Sequence, residues 1–290
     1  MLCKICGSKK VANIFDSANT HGWHILDATS LFNIFYCQDC RVIFVGNVTV
    51  NDEYFSQYYQ QDYYESGISS NFVNHVLGLF GGAVIRFKES EILKNFKPQR
   101  PAKLRILDIG CGSGDFLTHI NSKVFEKYGV EVNPHGYEKC KRQGLKVFNG
   151  ELKDIGFEMG YFDVITMWHV LEHVDEPENL LIEVRRILKS GGLLIVATPN
   201  TDSWGFKLGL KDWFHLDSPR HLILYNRRSL GILLEKTGFK VKKFKKISYD
   251  FPLDLFWSVR KYKFRFFIYF LYPLFKILSG ETFLATGEKI

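Results

Sequence analysis

The most constraining stretch of this 290-residue sequence is Leu104 to Phe116, which reads LRILDIGCGSGDF. A hydrophobic run at Leu104, Ile106, Leu107 and Ile109 carries one acid, Asp108. It then breaks into glycines at 110, 112 and 114 before a helix-like pattern resumes at Phe116. This is the pattern of a strand, a tight turn and a helix start. Glycines in such a turn take dihedrals that other residues avoid and clear side-chain bulk from the backbone, while the helix start presents amide groups to a ligand. Glycines alone fit a plain strand-to-helix connection equally well, so the reading depends on what surrounds them.

Downstream, short apolar runs alternate with amphipathic segments, which predicts an α/β fold with a mostly parallel sheet and helices on both faces. The second strand runs from Val124 and ends at Glu131, 23 residues after Asp108. An acid at a strand tip about 20 residues past a glycine turn can accept two hydrogen bonds from a ribose diol, and the same position suits an NAD-binding domain. A third strand, Leu145 to Phe148, leads to the turn Asn149-Gly150-Glu151-Leu152. The fourth lies in FDVITMWHVLEHV at 162–174; a helix to Leu188 and a fifth strand, Leu193 to Ala197, follow.

The ordered set of DIGCGSG at 108–114, Glu131, FDVITMWHVLEHV at 162–174 and LKSGGLLIVATPN at 188–200 resembles the class I S-adenosylmethionine-dependent methyltransferases, in their small-molecule group with an HVLEH segment. The resemblance covers residues 100–245 and implies a Rossmann-like seven-stranded sheet of order 3-2-1-4-5-7-6 with S-adenosylmethionine as cofactor. By the same resemblance, Gly110 and Gly112 would line the methionine part of the cofactor, with Asp108 near its amino group or organising the loop. Glu131 would hold the ribose hydroxyls, Glu151 and Leu152 would flank the adenine, and Met167, Trp168 and His169 would border the cofactor on the acceptor side. Cys111 and Val132 fall within these cofactor-binding stretches. The chain has Met-Trp-His where base-amine methyltransferases carry an Asn/Asp-Pro-Pro-aromatic tetrad, which argues against that chemistry. Its glycine loop is one residue tighter than G-x-G-x-x-G, which argues against a dehydrogenase.

Methyl transfer to oxygen or nitrogen is an in-line displacement from a sulfonium, so the protein must align the partners and take a proton from a weak acceptor such as a hydroxyl. A histidine is the natural base. His169, directly after the fourth strand, is the first candidate. Glu172 and His173 could equally cap or orient the loop. The segment 201–222, rich in aromatics and turn residues, resembles the PRHL-containing excursion over the acceptor pocket in this family. It supplies His215 and His221 as further candidate bases and Arg220 as a partner for a substrate phosphate or carboxylate. The competing reading is a lid held together by buried His and Trp hydrogen bonds.

Ahead of this domain, Cys3-Lys-Ile-Cys6-Gly7 and Cys37-Gln-Asp-Cys40 have the spacing of two zinc knuckles. Four thiolates from two tight turns complete a tetrahedral site with no open position, so a structural zinc is expected in a ribbon-like module at 1–50. His21 and His24 read as loop residues rather than ligands. Residues 51–100 form a helical, tyrosine-rich cap. Tyr54, Phe55, Tyr58 and Tyr59 share one helix face, which suits packing or the wall of a pocket, with Tyr63 and Tyr64 just beyond. A longer helical region, Asn71 to Phe96, is expected to be interrupted by Gly78 and Gly81-Gly82 and stops at the prolines of 97–101.

The methyltransferase domain is placed at 101–290, with Ser279 to Gly287 as its final strand and 250–278 as an enlarged insert. That insert's aromatics and its basic patch at 260–265 fit a peripheral membrane contact, a hydrophobic lid or a homodimer surface. The net charge of +7 is all carried by residues 240–290, which have eleven Lys/Arg against four Asp/Glu. No signal-peptide pattern opens the chain and no apolar run is long enough to span a membrane, so a cytoplasmic location is expected. The leading expectation is O-methylation of a small or lipid-linked acceptor such as a sugar or cell-envelope precursor. A ribbon-guided ribosomal RNA methyltransferase is the alternative, against which residues 1–50 carry a surplus of only one positive charge. A non-catalytic scaffold is a third reading, opposed by the intact glycine loop and Glu131.

Overall fold

The structure is a computed structural model that describes residues 1–18, 30–59, 71–96, 103–247, 254–263, 265–270 and 272–290. His21, His24, Tyr63, Tyr64, the proline-bounded break at 97–101 and the start of the insert lie outside the described residues. In chain order, the elements begin with strands β1 (Val11–Ala18), β2 (Leu31–Cys37) and β3 (Ile43–Val45), then helices α1 (Asp52–Tyr58) and α2 (Asn71–Asn95). The main domain follows with β4 (Leu104–Ile109), α3 (Asp115–His119), β5 (Phe125–Glu131), α4 (Pro134–Arg142), β6 (Lys146–Asn149), α5 (Leu152–Ile155), β7 (Phe162–Trp168), α6 (Pro177–Ile187) and β8 (Leu188–Pro199). The last part contains α7 (Trp204–Gly209), β9 (Ile223–Leu224), α8 (Arg227–Lys236), β10 (Phe239–Ile247), α9 (Asp254–Ser258), α10 (Arg265–Phe270), α11 (Tyr272–Ser279) and β11 (Thr282–Lys289).

Seven strands form the main sheet in the order β6-β5-β4-β7-β8-β11-β10. Numbered within the domain this is 3-2-1-4-5-7-6, the order the sequence predicts. The pairs β4–β5, β4–β7, β5–β6 and β7–β8 are parallel, and β11 runs antiparallel between β8 and β10. The central strands are buried on both faces, which is why they read as near-continuous apolar runs. Their side chains alternate between two cores. Leu107, Ile165, Met167 and Val196 enter one, and Ile106, Val164, Ile195 and Ala197 the other, where Ile92 of α2 joins Phe116 and Leu117 of α3.

Helix signals in the sequence are used as expected. Asn133 caps α4 by accepting from the amides of His135 and Gly136, with Pro134 in the first turn, and Pro177 opens α6, whose Leu181, Val184 and Ile187 are buried. Two boundaries differ from expectation. The glycines of α2 leave it a continuous helix, and the fifth strand begins at Leu188, because the chain passes through Gly191, at φ 71°, without leaving the sheet.

The N-terminal module is part of the molecule's main body. β1, β2 and β3 form a second sheet whose fourth strand is β9, from the end of the excursion, with Ile43 opposite Leu224 and Phe44 opposite Ile223. Asn226, which caps α8, also donates to the Arg41 carbonyl at 2.6 Å, and Lys4 pairs with Asp175. Ile5, Ile34, Phe44 and Val45 share the core that holds Leu222 and Tyr225. The insert builds a small core of its own from Leu255 and Val259, packed by Leu208, Tyr262, Tyr269 and Phe275. Among the described residues no helix is long and apolar enough to cross a membrane.

Candidate active site

The site lies at the carboxyl ends of β4, β5 and β7. Gly110, Gly112 and Gly114 all take positive φ (65°, 55° and 79°), a region where a Cβ is strained. A Cβ on Gly110 would meet Val170 Cγ2 at 2.6 Å, whereas one on Gly112 would meet nothing within 4 Å. The loop is therefore tight on its protein side and open at Gly112, a cradle of bare backbone.

Two acids frame it. Asp108 is buried and accepts from Thr166 Oγ1 at 2.6 Å; burial pushes its carboxyl up to about 7. Glu131 accepts from the amides of Gly112 at 2.7 Å and Asn133 at 2.9 Å, while burial raises its pKa. α4 can lie this close only because Gly136 has no side chain: a Cβ there would sit 2.9 Å from the Gly112 carbonyl and 3.0 Å from Glu131 Cγ. Asn149 Nδ2 donates to the Glu131 carbonyl at 2.8 Å and fixes the neighbouring turn. Val132 is exposed beside Glu131, Leu152 is buried, and Glu151 is exposed and paired with Lys153 at 2.8 Å. The Cys111 side chain is buried, 4.0 Å from Cys140 of α4.

On the opposite side, Met167 is fully buried and the Trp168 ring meets Phe116 edge-on at 5.6 Å, with Lys88 Nζ 4.6 Å from its centroid. His169 takes the left-handed conformation (φ 57°), a strained state for a residue with a side chain. Its Nδ1 lies 3.2 Å from Glu172 Oε1, and Thr198 Oγ1 donates to Glu172 Oε2 at 3.0 Å. Glu172 is fully buried, which alone would raise its pKa. The His169 hydrogen bond and the neighbouring His173 and His221 outweigh that and hold it at about 2.

His173 donates from Nδ1 to the Arg220 carbonyl at 2.9 Å, with the Tyr59 hydroxyl also at 2.9 Å. Burial, with His221 adding to it, pushes this imidazole down to about 4. His221 donates from Nδ1 to the His215 carbonyl at 2.6 Å, burial lowers its pKa too, and its ring centroid is 4.7 Å from that of His173.

Of the four residues singled out for catalysis, His169 and His221 thus converge on Glu172, joined by His173 and Tyr59. The other two point elsewhere. Arg220 is buried in a two-pronged pair with Asp217, Nε at 2.9 Å and Nη2 at 2.5 Å, and His215 Nε2 faces Asp254 of the insert at 3.2 Å. The excursion is anchored by Glu281, which accepts from Trp213 Nε1 at 2.6 Å, Ser203 Oγ at 3.1 Å and the Gly205 amide at 2.8 Å. Thr166 and Thr198 are contributors that the sequence reading did not pick out, because a polar residue inside an apolar strand carries no signal of which acid it will meet; Glu281, just before β11, was missed because its donors lie 68 to 78 residues away.

At the far end of the ribbon, Cys3 and Cys40 Sγ lie 3.5 Å apart and Cys6 and Cys37 3.6 Å apart, all four within 4.8 Å of one another. Gly7 and Arg41 follow the two knuckles with φ 71° and 64°, so both turns have one shape although only one carries a glycine. Four converging thiols match the donor set of a closed tetrahedral zinc site.

A family model described as a methyltransferase domain matches residues 82–243, more than half of the chain. The ubiquinone biosynthesis O-methyltransferase of Maricaulis maris is 34% identical over 120 residues, 39% of this chain and 47% of that protein. The mitochondrial enzyme of the same name from Candida albicans is 30% identical over 132 residues, 41% of this chain and 40% of that protein. The matches to such curated relatives span about half of their length. Among solved structures, an S-adenosylmethionine-dependent methyltransferase from Thermotoga maritima superposes with a TM-score of 0.51 at 24% identity, covering 76% of this chain and 96% of that one, a likeness of fold. With its strand order and its glycine turn after the first strand of the main sheet, the chain belongs to the methyltransferase-domain family and has the fold of the class I S-adenosylmethionine-dependent methyltransferases.

Proposed function

We propose that the protein methylates a hydroxyl of a small or lipid-linked acceptor, in the class of sugars and other cell-envelope precursors, with His169 as the general base. The observation that carries this reading is the His169–Glu172 pair, 3.2 Å apart at the end of β7. A buried carboxylate on Nδ1 fixes the ring and stabilises the imidazolium that forms, so that Nε2 is the nitrogen that takes the acceptor's proton. S-adenosylmethionine, bound over Gly110–Gly112 with Glu131 at its ribose, supplies the activated methyl carbon. Trp168 and Phe116 close the cofactor side against water, while Arg220 and His215 hold the excursion in place. Zinc at Cys3, Cys6, Cys37 and Cys40 stiffens the ribbon.

Two further features support an acceptor of this kind rather than RNA. The ribbon is hydrogen-bonded to the excursion through β3 and β9 and so belongs to the acceptor-side wall. In the insert, Phe266, Phe267 and Phe270 of α10 are 71%, 74% and 85% exposed, next to Lys261, Lys263 and Arg265. Apolar rings flanked by cations are what an anionic membrane surface recruits.

The test is transfer of labelled methyl from S-adenosylmethionine to polyprenyl-phosphate-linked sugars, free sugars and ribosomal RNA offered separately. Labelled lipid-linked or free sugar is the expected product, and label confined to RNA would reverse the assignment. In parallel, sedimentation with vesicles containing phosphatidylglycerol should remove the protein from solution, and Phe267→Ser with Phe270→Ser should leave it there.

A further inference from the structure

The geometry points to a modification site at the foot of the cradle, where Cys111 and Cys140 close into a reversible disulfide that weakens cofactor binding. The two thiols sit on segments 29 residues apart, Cys111 in the glycine turn after β4 and Cys140 in α4, with their sulfurs 4.0 Å from each other. Each seat is kept clear by a glycine. A Cβ on Gly129 would meet Cys111 Sγ at 2.8 Å, and one on Gly114 would meet Cys140 Sγ at 2.9 Å. A disulfide holds its sulfurs about 2 Å apart, so closing it draws the glycine turn and α4 together by about 2 Å.

Hydrogen bonds set the roles of the two sulfurs. Cys140 donates its S–H to the Gly112 carbonyl at 3.2 Å, which leaves its lone pairs to accept from Cys111. The hydrogen bond from Cys111 lowers the pKa of Cys140 and raises that of Cys111, so when the pair loses one proton the negative charge stays on Cys140. Cys140 is thus the sulfur that attacks and Cys111 the one that resolves. Both are buried, Cys111 at 8% exposure and Cys140 completely, so the oxidant must be as small as a peroxide. Its way in is the face at Gly112, where a Cβ would meet nothing within 4 Å.

With hydrogen peroxide, the Cys140 thiolate bonds to one oxygen and the O–O bond breaks. The other oxygen leaves as hydroxide, which takes up the proton that the pair had lost, and Cys140 becomes a sulfenic acid. The Cys111 sulfur then attacks the Cys140 sulfur; the S–S bond forms, the S–O bond breaks and a second water leaves with the Cys111 proton. Two thiols are oxidised by two electrons in all, and one peroxide is reduced to two waters. The link reaches the cofactor side through Gly112, whose amide donates to Glu131 at 2.7 Å while its carbonyl accepts from Cys140. Oxidation removes the S–H that holds this carbonyl and pulls Cys111 toward α4, displacing the bare backbone on which S-adenosylmethionine is proposed to rest. The effect on affinity rests on that reading, whereas formation of the bond does not. Bound cofactor, by covering Gly112, should slow the oxidation.

The test treats the zinc-loaded full-length chain with hydrogen peroxide and maps its peptides by mass spectrometry without reduction. Peptides joined through Cys111 and Cys140 are expected, forming more slowly when S-adenosylmethionine is present. In calorimetry the treated protein should bind S-adenosylmethionine about three- to tenfold more weakly, the effect of one lost hydrogen bond. Dithiothreitol, which opens a disulfide but leaves an oxidised methionine as it is, should restore the affinity. Cys140→Ala, treated alike, should keep the affinity that it has before treatment. Oxidation of the four ribbon cysteines is common to both proteins, so an equal loss in the variant would overturn the assignment. Absence of the joined peptides would do the same, as would a linked protein whose affinity matches that of the reduced one. A reduced chain that binds no cofactor would defeat the reading of the cradle, and with it the effect on affinity, while the peptide map decides the bond separately.

Discussion

The proposed cofactor cradle is made by one run of chain, from β4 through the turn at Glu151. The wall facing it takes Tyr59 from the end of α1, where it caps the helix, His169 to His173 from the turn after β7, His215 to His221 from the excursion and Asp254 from the insert. On the first side, local geometry suffices: a strand end, glycines with positive φ and an acid held by backbone amides. On the second, local pairs such as His169 with Glu172 are tied together by partners far away in sequence, such as Thr198 on Glu172, 26 residues apart, the Arg220 carbonyl on His173, 47 apart, and Glu281 under Trp213, 68 apart. Donor binding and acceptor chemistry should therefore be separable by mutation, and each prediction below would break or sharpen that division.

The largest effect is expected at His169. His169→Asn should lower kcat by about 10²–10⁴-fold, the range for loss of a general base, with the dissociation constant for S-adenosylmethionine unchanged in calorimetry. Glu131→Gln should do the reverse. Hydrogen bonds to a charged acceptor contribute about 1.5–3 kcal/mol, so cofactor affinity should fall by about ten- to a hundredfold while kcat at saturating cofactor stays near that of the wild type. If the two variants show the same pattern, the division fails.

Trp213→Phe removes the donor to buried Glu281 and should cost about 1–3 kcal/mol in denaturant unfolding, again without weakening cofactor binding. The effect that is smallest at any one step is a pH slope. Asp108 has its carboxyl raised by burial from 3.8 to about 7, so between these values the unfolded chain releases a proton that the native state keeps. Its contribution to stability is complete below the unfolded pKa and is lost as pH rises through the folded one, at no more than about 1.4 kcal/mol per pH unit. Unfolding curves from pH 4 to 7 should show a decline that Asp108→Asn flattens.

The same division accounts for what could be read from the sequence. The strand order was legible through the family resemblance, whereas Gly110 to Gly114, Glu131 at its strand end and the two cysteine pairs were legible because each depends on neighbours in the chain or on a spacing that repeats. Arg220 could be recognised as important but not directed, since a guanidinium aimed at a substrate and one bound to Asp217 look alike in sequence. The attachment of the ribbon was also hidden. β9 is only two residues long, and nothing in Ile223-Leu224 marks it as an edge partner for β3. His173 read as a residue that could cap or orient the loop and His221 as a candidate base, and only the fold shows that their rings meet face to edge, 4.7 Å apart.

The β3–β9 pairing also imposes a timetable on synthesis. Ile43 leaves the ribosome about 180 residues before its partner Leu224, so the ribbon's outer strand waits with unpaired amides and carbonyls through production of nearly the whole parallel sheet. The zinc proposed for Cys3, Cys6, Cys37 and Cys40 would clip the two turns together during that interval and keep the strand from seeking other partners. On this view zinc matters most to the nascent chain, and its shortage would show first as a lower yield of folded protein rather than as a slower enzyme.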